Sequence, residues 1–363
     1  MKSRERLLNI AMGRPVDRVP FFDWLGAWPE TFERWKTEGM CENPFGVFDA
    51  GYINLSDGQG FRQGLFPYFD YELIGETENT FISRNIFGAT QQSMKNGNTI
   101  PHFIDWPVKS RSDWNNLCET RFHWSEERMP KVKDLKLFAD KINNGEQLPY
   151  MGAHPYGIFG TVRELVGVEN FMVMLYDESD LIYDMMESMT TLWLKLFERI
   201  VPYFDILGLH MWEDMSGTFG SLISPDMFRQ FMMPQYKRIS AFCKSRGIEL
   251  FSVDTDGDIS QLVPLFMESG VNVIMPFECV GKMTVADYIS EYPELCIMGG
   301  VNKRCFEEDV NDKDTMDKEL KRIEKTLELG GRYVPHMDHA VHPTVSYKNF
   351  LYYTECMKDI IFS

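Results

Sequence analysis

The sequence predicts a single (β/α)8 TIM barrel that spans residues 1–363 as one domain, with an N-terminal helix and a β-hairpin insertion. From residue 148 onward, short apolar runs alternate with longer helical patterns, which is typical of parallel strands joined by crossover helices. The chain has 363 residues, 44% of them hydrophobic, which is enough for one large core. It has no glycine-rich phosphate loop after a strand, and this favours a closed barrel over an open dinucleotide-binding sheet.

Seven apolar runs are the candidate barrel strands, and the first follows an amphipathic opening helix that carries Leu7, Leu8 and Met12 on one side. The runs cover residues 19–25, 148–154, 205–212, 248–254, 271–277, 295–302 and 332–338. Helical patterns occupy about 178–202, 225–246, 259–269, 284–291, 312–329 and 346–360. Residues 71–94 are rich in Thr, Ile and Phe with turn residues between them, and they predict two or three antiparallel strands that could act as a flap.

Composition excludes several classes of function. The net charge of −17 argues against nucleic-acid binding, which needs a basic surface. No apolar run reaches the roughly 18 residues of a membrane span, and the opening residues lack a signal-peptide core. The seven cysteines are dispersed without a CxxC pair, as expected for reduced thiols. We therefore expect a cytoplasmic enzyme with no nucleic-acid or membrane partner.

Acidic and imidazole side chains follow the predicted strands. In a barrel the carboxyl ends of the strands meet at one face, where the chemistry takes place. This arrangement suits a divalent metal or a general acid/base set, although barrel rims are also polar without such a role. The side chains concerned are His154, His210, Glu213, Asp214, Asp254, Asp256, Glu278, Cys279, Asn302, His336, Asp338 and His339.

The stretch DTDGD, residues 254–258, places three carboxylates within five residues. It is not an EF-hand, because glycine comes fourth from Asp254 and a leucine stands twelfth. Asp258 directly precedes a helical pattern and is expected to cap that helix. Asp254 and Asp256 remain, two residues apart at a strand end, where they could face a common site. In VPHMDHAVHP, His336 and His339 form a plausible metal pair, although exposed loop histidines remain the alternative.

Four segments together resemble the uroporphyrinogen decarboxylase superfamily. They are RERLLNIAMGRPVDRVPFF, EDMSGTFGSLISPDMFRQFMMPQYKRI, DTDGDISQLVPLFMESGVNVIMPFE and GGRYVPHMDHAVHPTVSYKNFLYYTE. The resemblance runs nearly end to end and implies one barrel with a deep cleft at its C-terminal face. True decarboxylases of this superfamily have a segment like RQAGRY, whose arginines bind substrate carboxylates. Here Asp23 and Trp24 stand at that turn, which disfavours a porphyrinogen substrate.

The other branch contains corrinoid-dependent methyltransferases, which exchange a methyl group with the cobalt of a separate corrinoid protein. Some members bind zinc through His-x-Cys-Gly and a later cysteine. In this chain Asp254 replaces that histidine, Asp256 replaces the first cysteine, and His339 falls near the late one, with His336 close by. The resemblance thus implies a zinc site held by Asp256 and His339, with Asp254, His336 or Glu213 completing the set. Hard ligands of this kind suit an oxygen donor better than a thiol.

The sequence therefore predicts a zinc-dependent methyltransferase that moves methyl from a small aryl methyl ether, alcohol or amine to a methylcobamide (cobalamin) carried by a corrinoid protein. Asp254 and Glu213 are the candidate catalytic residues, with zinc as Lewis acid. Trp24, Tyr156, His210 and Trp212 are candidate substrate-binding residues. Two alternatives stay open: a decarboxylase of a smaller polycarboxylate, and a non-catalytic barrel that binds a tetrapyrrole or corrinoid.

Overall fold

The computed structural model describes residues 1–49, 51–56, 61–95, 101–144, 146–310 and 312–363. Its strands are β1 (Tyr52–Asn54), β2 (Glu72–Glu76), β3 (Thr80–Arg84), β4 (Thr90–Met94), β5 (His102–Asp105), β6 (Leu148–Gly152), β7 (Gly208–Trp212), β8 (Ser216–Gly217), β9 (Gly220–Ser221), β10 (Leu250–Asp254), β11 (Val273–Phe277), β12 (Cys296–Val301) and β13 (Tyr333–Met337). A curled parallel sheet has the order β1-β6-β7-β10-β11-β12-β13, as expected for a barrel-like fold.

The helices surround this sheet. They are α1 (Ser3–Ala11), α2 (Pro29–Thr37), α3 (Arg111–Thr120), α4 (Val132–Ile142), α5 (Ile158–Val166), α6 (Val168–Asp177), α7 (Ser179–Ile200), α8 (Pro225–Met227), α9 (Met233–Ser245), α10 (Val263–Glu268), α11 (Val285–Glu291), α12 (Lys313–Glu328) and α13 (Tyr347–Phe362). Helices α7 and α11 to α13 follow the predicted patterns within about two residues at each end, the usual uncertainty of a helix boundary. Among the described residues, none of these helices is long and apolar enough to cross a membrane.

Six of the seven predicted strands are confirmed as β6, β7 and β10 to β13. The seventh prediction is wrong: residues 19–25 are not a strand, and β1 takes a place at the edge of the sheet instead. Pro20 cannot donate to a ladder, the chain bends at Trp24, and the next contact is an isolated bridge between Ala27 and Val341. The described residues therefore contain a curled seven-stranded parallel sheet, which is consistent with a TIM-like fold, and the eighth strand and the closure of the barrel stay predictions.

Side chains alternate between an interior and an outer layer. Along β10, Leu250 belongs to the interior cluster, whereas Phe251 and Val253 belong to the outer core beneath the helices, as the period of two in a strand requires. The interior cluster also contains Leu7 and Ile10 of α1, packed with residues at the amino ends of the strands. The predicted N-terminal helix thus covers the end of the sheet opposite the candidate site.

The predicted β-hairpin insertion at 71–94 lies within a four-stranded antiparallel sheet of order β2-β3-β4-β5. Its outer surface carries exposed apolar side chains, including Leu73, Ile74 and Ile104. The turn between β3 and β4 brings Phe87 to a small cavity that His154 also lines. A flap function for this sheet, and the treatment of 1–363 as one domain, remain predictions.

Candidate active site

The interior wall of the site is formed by alternate residues of neighbouring strands. His210 of β7 pairs in register with Ser252 of β10, and Asp254 follows two residues later on the same face. The Nδ1 atom of His210 lies 2.8 Å from the Ser252 hydroxyl, and its Nε2 atom lies 3.9 Å from the Asp254 carboxylate. Burial lowers the pKa of His210 to about 3, so the ring is neutral.

His336 occupies an equivalent inward position on β13. Its Nδ1 atom lies 2.7 Å from the carbonyl oxygen of Met337, and the side chain is fully buried. Burial lowers its pKa to about 4. No described residue hydrogen-bonds to Nε2 of either His210 or His336, although buried polar atoms in folded proteins are nearly always paired.

The segment that was predicted as a first strand closes this space with aromatic rings. Trp24 lies 5.0 Å from the His210 ring and 3.9 Å from that of Tyr52, and Phe22 lies 6.0 Å from His336, all measured between centroids. Tyr52 and Tyr150 also have buried hydroxyls that no described residue contacts by a hydrogen bond. We call the group of side chains formed by Trp24, His210 and His336, with the Phe22 ring beside His336, the interior chamber.

A cleft of 610 Å³ lies beside the chamber. Its lining includes Trp24 and Tyr52, which also border the chamber, and the carboxyl group of Asp23. Burial raises the pKa of Asp23 to about 7, against a hydrogen bond from the Gly26 N–H. The volume is within the range of small-molecule sites.

The rim of the site holds the second predicted pair. Nε2 of His339 lies 3.8 Å from the Asp256 carboxylate, and both side chains are about one-third exposed, at 31% and 36%. Burial raises the pKa of Asp256 to about 6, and His339 opposes this shift. Asp258 does not cap α10: it accepts a hydrogen bond from Ser260 N and starts a turn before that helix. Helix α10 begins later than predicted because residues 259–262 form this turn.

A charged network supports the rim. Glu278 accepts a hydrogen bond from Gly257 N, 2.9 Å away. Lys303 Nζ lies 3.4 Å from Glu278 and 3.5 Å from Asp338, and Asp338 also accepts from the backbone N–H of Cys279. The ammonium group therefore compensates two carboxylates around the turn that carries Asp256.

Glu213 has a different environment from the one that its sequence position suggested. Its carboxylate accepts hydrogen bonds from the backbone N–H groups of Ile158, Phe159 and Gly160, at 3.0, 2.6 and 3.1 Å, and from the hydroxyl of Tyr236. It thus caps the N-terminus of α5 in the outer layer. Burial dominates over these bonds and raises its pKa to about 7.

The four predicted substrate-binding residues do not all come together. Trp24 and His210 are neighbours in the chamber. Tyr156 instead belongs to the outer core, 6.2 Å from Trp193, and Trp212 packs against His154 at 4.5 Å. The aromatic wall is therefore formed by Trp24 with Tyr52 and Tyr150.

Of the predicted zinc ligands, Asp256 pairs with His339, whereas Asp254 lies beside His210, a predicted substrate-binding residue. Nε2 of His336 has no hydrogen-bond partner among the described residues. Among the described residues, no group of three or more His, Cys, Asp or Glu side chains could hold a metal ion. Because zinc in proteins takes three or four such ligands, the residues as arranged do not fit this ion.

Sequence reasoning missed Ser252, Tyr52, Tyr150 and Lys303. The signal for Ser252 was available, because it lies two residues before Asp254 on a strand and must share its face. Tyr52 could not be identified in this way, because β1 was not predicted, whereas Tyr150 lies on the predicted strand β6. Lys303 is distinctive only through its carboxylate partners, which lie on other loops.

Comparison with known proteins adds a family to this geometry. The family model described as uroporphyrinogen decarboxylase (URO-D) matches residues 87–360. A methyltransferase from Methanosarcina mazei has a similar structure, with a TM-score of 0.62 at 15% identity, covering 99% of this chain and 98% of that chain. A protein assigned as a vitamin-B12-independent methionine synthase from Listeria monocytogenes gives a TM-score of 0.36 at 8% identity, covering 61% and 68%. No curated protein sequence matches.

The structural likeness at 15% identity shows a shared fold, in agreement with the curled parallel sheet. The family match covers well over half of the chain and includes β6 to β13, whose ends carry the site. It begins after Asp23 and Trp24, where the sequence departs from the arginine-bearing turn. The chain belongs to the uroporphyrinogen decarboxylase family.

Proposed function

We propose that this protein is a methyltransferase that moves a methyl group from a small methylated substrate to the cobalt of a separate corrinoid protein. The observation that carries the proposal is the interior chamber. It holds neutral, buried imidazoles whose Nε2 atoms have no hydrogen-bond partner among the described residues, beside aromatic rings, on strands whose carboxyl ends form the face where barrel enzymes bind their substrates. The structural likeness to a methyltransferase of the same fold is consistent with it.

The corrinoid, when presented by its partner, supplies a nucleophilic cobalt that accepts the methyl group. The residues of this chain bind and orient the substrate. Trp24 offers an apolar face, His210 and His336 offer fixed hydrogen-bonding atoms, and Asp254 offers a carboxyl group at the chamber mouth. Alignment of the methyl carbon with an incoming nucleophile is the main contribution that such a site can make.

The decarboxylase alternative requires cations for substrate carboxylates. Lys303 is already paired with Glu278 and Asp338, and Arg163 is paired with Asp214. Arg332 donates to carbonyls of Ala11 and Glu294 at the opposite end of the sheet. These contacts favour the methyltransferase.

The test is methyl transfer to free cob(I)alamin, followed by absorbance, with panels of methylated phenols, alcohols and amines. Formation of methylcobalamin with one panel and its absence without protein would support the proposal. Failure of every panel, with release of carbon dioxide from small polycarboxylates instead, would overturn it.

Zinc remains a prediction that this mechanism does not use. Metal analysis of the purified protein, and of the variant with Asp256→Ala and His339→Ala, decides it. Zinc that is bound by the natural protein and lost from the variant would confirm the predicted ligands. Zinc content unchanged in the variant would show that this pair does not hold it.

A further inference from the structure

The hydrogen atoms of His210 can be assigned from its neighbours. The Ser252 hydroxyl lies 2.8 Å from Nδ1 of His210 and 3.3 Å from the carbonyl oxygen of Leu209; when its hydrogen goes to that carbonyl, its oxygen accepts from Nδ1–H of His210. In a neutral imidazole the other nitrogen then carries no hydrogen. Nε2 of His210 therefore presents a lone pair to the chamber.

His336 has the same polarity for a simpler reason. The partner of its Nδ1 is the carbonyl oxygen of Met337, which can only accept. Nε2 of His336 is thus also a bare acceptor, fully buried and without a hydrogen-bond partner among the described residues. Two fixed acceptors, on β7 and β13, face the same short segment, because Trp24 contacts one ring and Phe22 the other.

A chamber with bare acceptors selects for a ligand that brings hydrogen-bond donors. An ether oxygen only accepts, so it would leave both imidazole nitrogens unpaired. The hydroxyls of Tyr52 and Tyr150 can either donate or accept, so they do not discriminate. The two histidines therefore determine that the ligand must supply hydrogen-bond donors.

The charges around Asp254 further restrict the class of ligand that the chamber can bind. The Asp254 carboxyl lies 3.9 Å from Nε2 of His210, and no described residue donates a hydrogen bond to it. Burial raises the pKa of Asp254, and Asp256, Asp214, Glu213 and Glu278 raise it further, so this carboxyl group keeps its negative charge only when a cation lies beside it. The Trp24 ring beside His210 adds a face that attracts cations.

We infer that the chamber bounded by Trp24, His210 and His336 binds a protonated methylated amine, whose N–H group donates to a histidine Nε2 and whose charge is met by Asp254. This inference rests on the methyltransferase function proposed above and selects the amine from its possible methyl donors. The proton makes the nitrogen a better leaving group. When the C–N bond breaks, its electron pair stays on nitrogen, so trimethylammonium leaves as neutral dimethylamine. The electron pair of the new bond to the methyl carbon comes from the cobalt of the partner's corrinoid.

The first experiment measures binding to the purified protein without any corrinoid. Calorimetric titrations use trimethylammonium, tetramethylammonium and methoxybenzene. Trimethylammonium should bind at least about 10-fold more tightly than tetramethylammonium, which has the charge but no N–H donor, and methoxybenzene should bind most weakly. Equal affinity for the two cations, preference for methoxybenzene, or binding that requires added zinc would overturn the inference.

Two further measurements cover the case in which a variant is damaged. Nitrogen-15 NMR of the natural protein should show Nδ1–H tautomers for both His210 and His336, and a hydrogen on either Nε2 would overturn the assignment. His210→Phe keeps a ring but removes the acceptor, and it should weaken trimethylammonium binding by about 30-fold. His154→Phe, which replaces a histidine outside the chamber, is the matched control and should change it little.

These outcomes separate the two proposals. Tight trimethylammonium binding without methyl transfer to cob(I)alamin would refute the methyltransferase function and leave the amine site standing. Methyl transfer from an aryl ether, with no affinity for trimethylammonium, would support the function and refute the amine.

Discussion

Glu213 and Asp254 are two carboxylic acids at the ends of adjacent strands, and the backbone N–H of Glu213 even donates to the carbonyl of Asp254, 2.8 Å away. Both were predicted to be catalytic, yet they lie on opposite sides of the sheet. Glu213 continues the outer face of Leu209 and Met211 and is saturated by four hydrogen bonds. The carboxyl group of Asp254 continues the inner face and receives no hydrogen bond from described residues.

The two carboxyl groups are chemically alike, but the alternation of side chains along the strands places one in a structural contact and the other beside the candidate site. A buried carboxylate with every acceptor position filled stabilises the helix that it caps. A carboxyl group without donors, next to an imidazole without a partner, is costly to the fold unless a ligand completes it. We therefore expect the functional carboxyl group to be Asp254 on the inner side of the sheet, and Glu213 on the outer side to be structural.

The largest expected effect concerns the pH dependence of stability through Glu213. Its pKa is raised to about 7 in the folded protein, whereas an exposed glutamate titrates at 4.5. Between these values the folded protein keeps a proton that the unfolded chain releases, so stability falls as pH rises from 4.5 to 7. The effect can reach about 3 kcal/mol and should be absent in Glu213→Gln.

Urea unfolding of both proteins at several pH values measures this difference. The free energies of unfolding should converge or cross as pH rises and then run parallel above about pH 7. Curves that stay parallel throughout would show that burial does not raise the pKa of Glu213.

A smaller expected effect, on ligand affinity, distinguishes binding in the interior chamber from binding at the rim. Asp254→Asn preserves size but removes the negative charge, and it should weaken trimethylammonium binding by about 30-fold with a change in stability below about 1 kcal/mol. Asp256→Asn is the matched change at the exposed rim, where we expect less than about 3-fold. Calorimetry with both variants is sufficient. Equal losses would place the ligand at the rim, where the family resemblance had placed the metal.

The strand positions could be predicted because buried parallel strands form continuous apolar runs that helical patterns separate. Residues 19–25 have the same apolar character, but Pro20 and the bend at Trp24 prevent a ladder. Composition alone cannot distinguish a strand from an extended segment that fills a gap with aromatic rings. The real first strand, β1, has only three residues and gave no apolar run.

For the candidate site, the sequence predicted that His210, His336, Asp254 and Asp256 lie on or just after the barrel strands, where the structure has them, but it could not assign their partners. Three of the four donors to Glu213 come from the start of α5, more than 50 residues away in sequence, and the fourth is Tyr236 of α9. Period-two alternation from Leu209 and Met211 would have placed Glu213 outside. The tautomers of the histidines depend on a serine from a neighbouring strand and on one carbonyl oxygen, which only the folded chain brings into position.

The smallest expected effect tests whether the chamber is independent of the rim turn. Gly257 has a φ of +82°, and a Cβ atom there would lie 2.5 Å from the backbone of Gly217. Gly247 also has a positive φ, +69°, but has nothing within 4 Å. Gly257→Ala should therefore cost about 1 kcal/mol more in unfolding free energy than Gly247→Ala, because both substitutions strain the backbone but only the first creates a clash with another backbone segment.

If the chamber is held by the strands alone, the Gly257→Ala protein should keep its affinity for trimethylammonium within about 2-fold. A large loss of affinity at a small loss of stability would mean that the rim turn positions Asp254, and that the interior and the rim form one site.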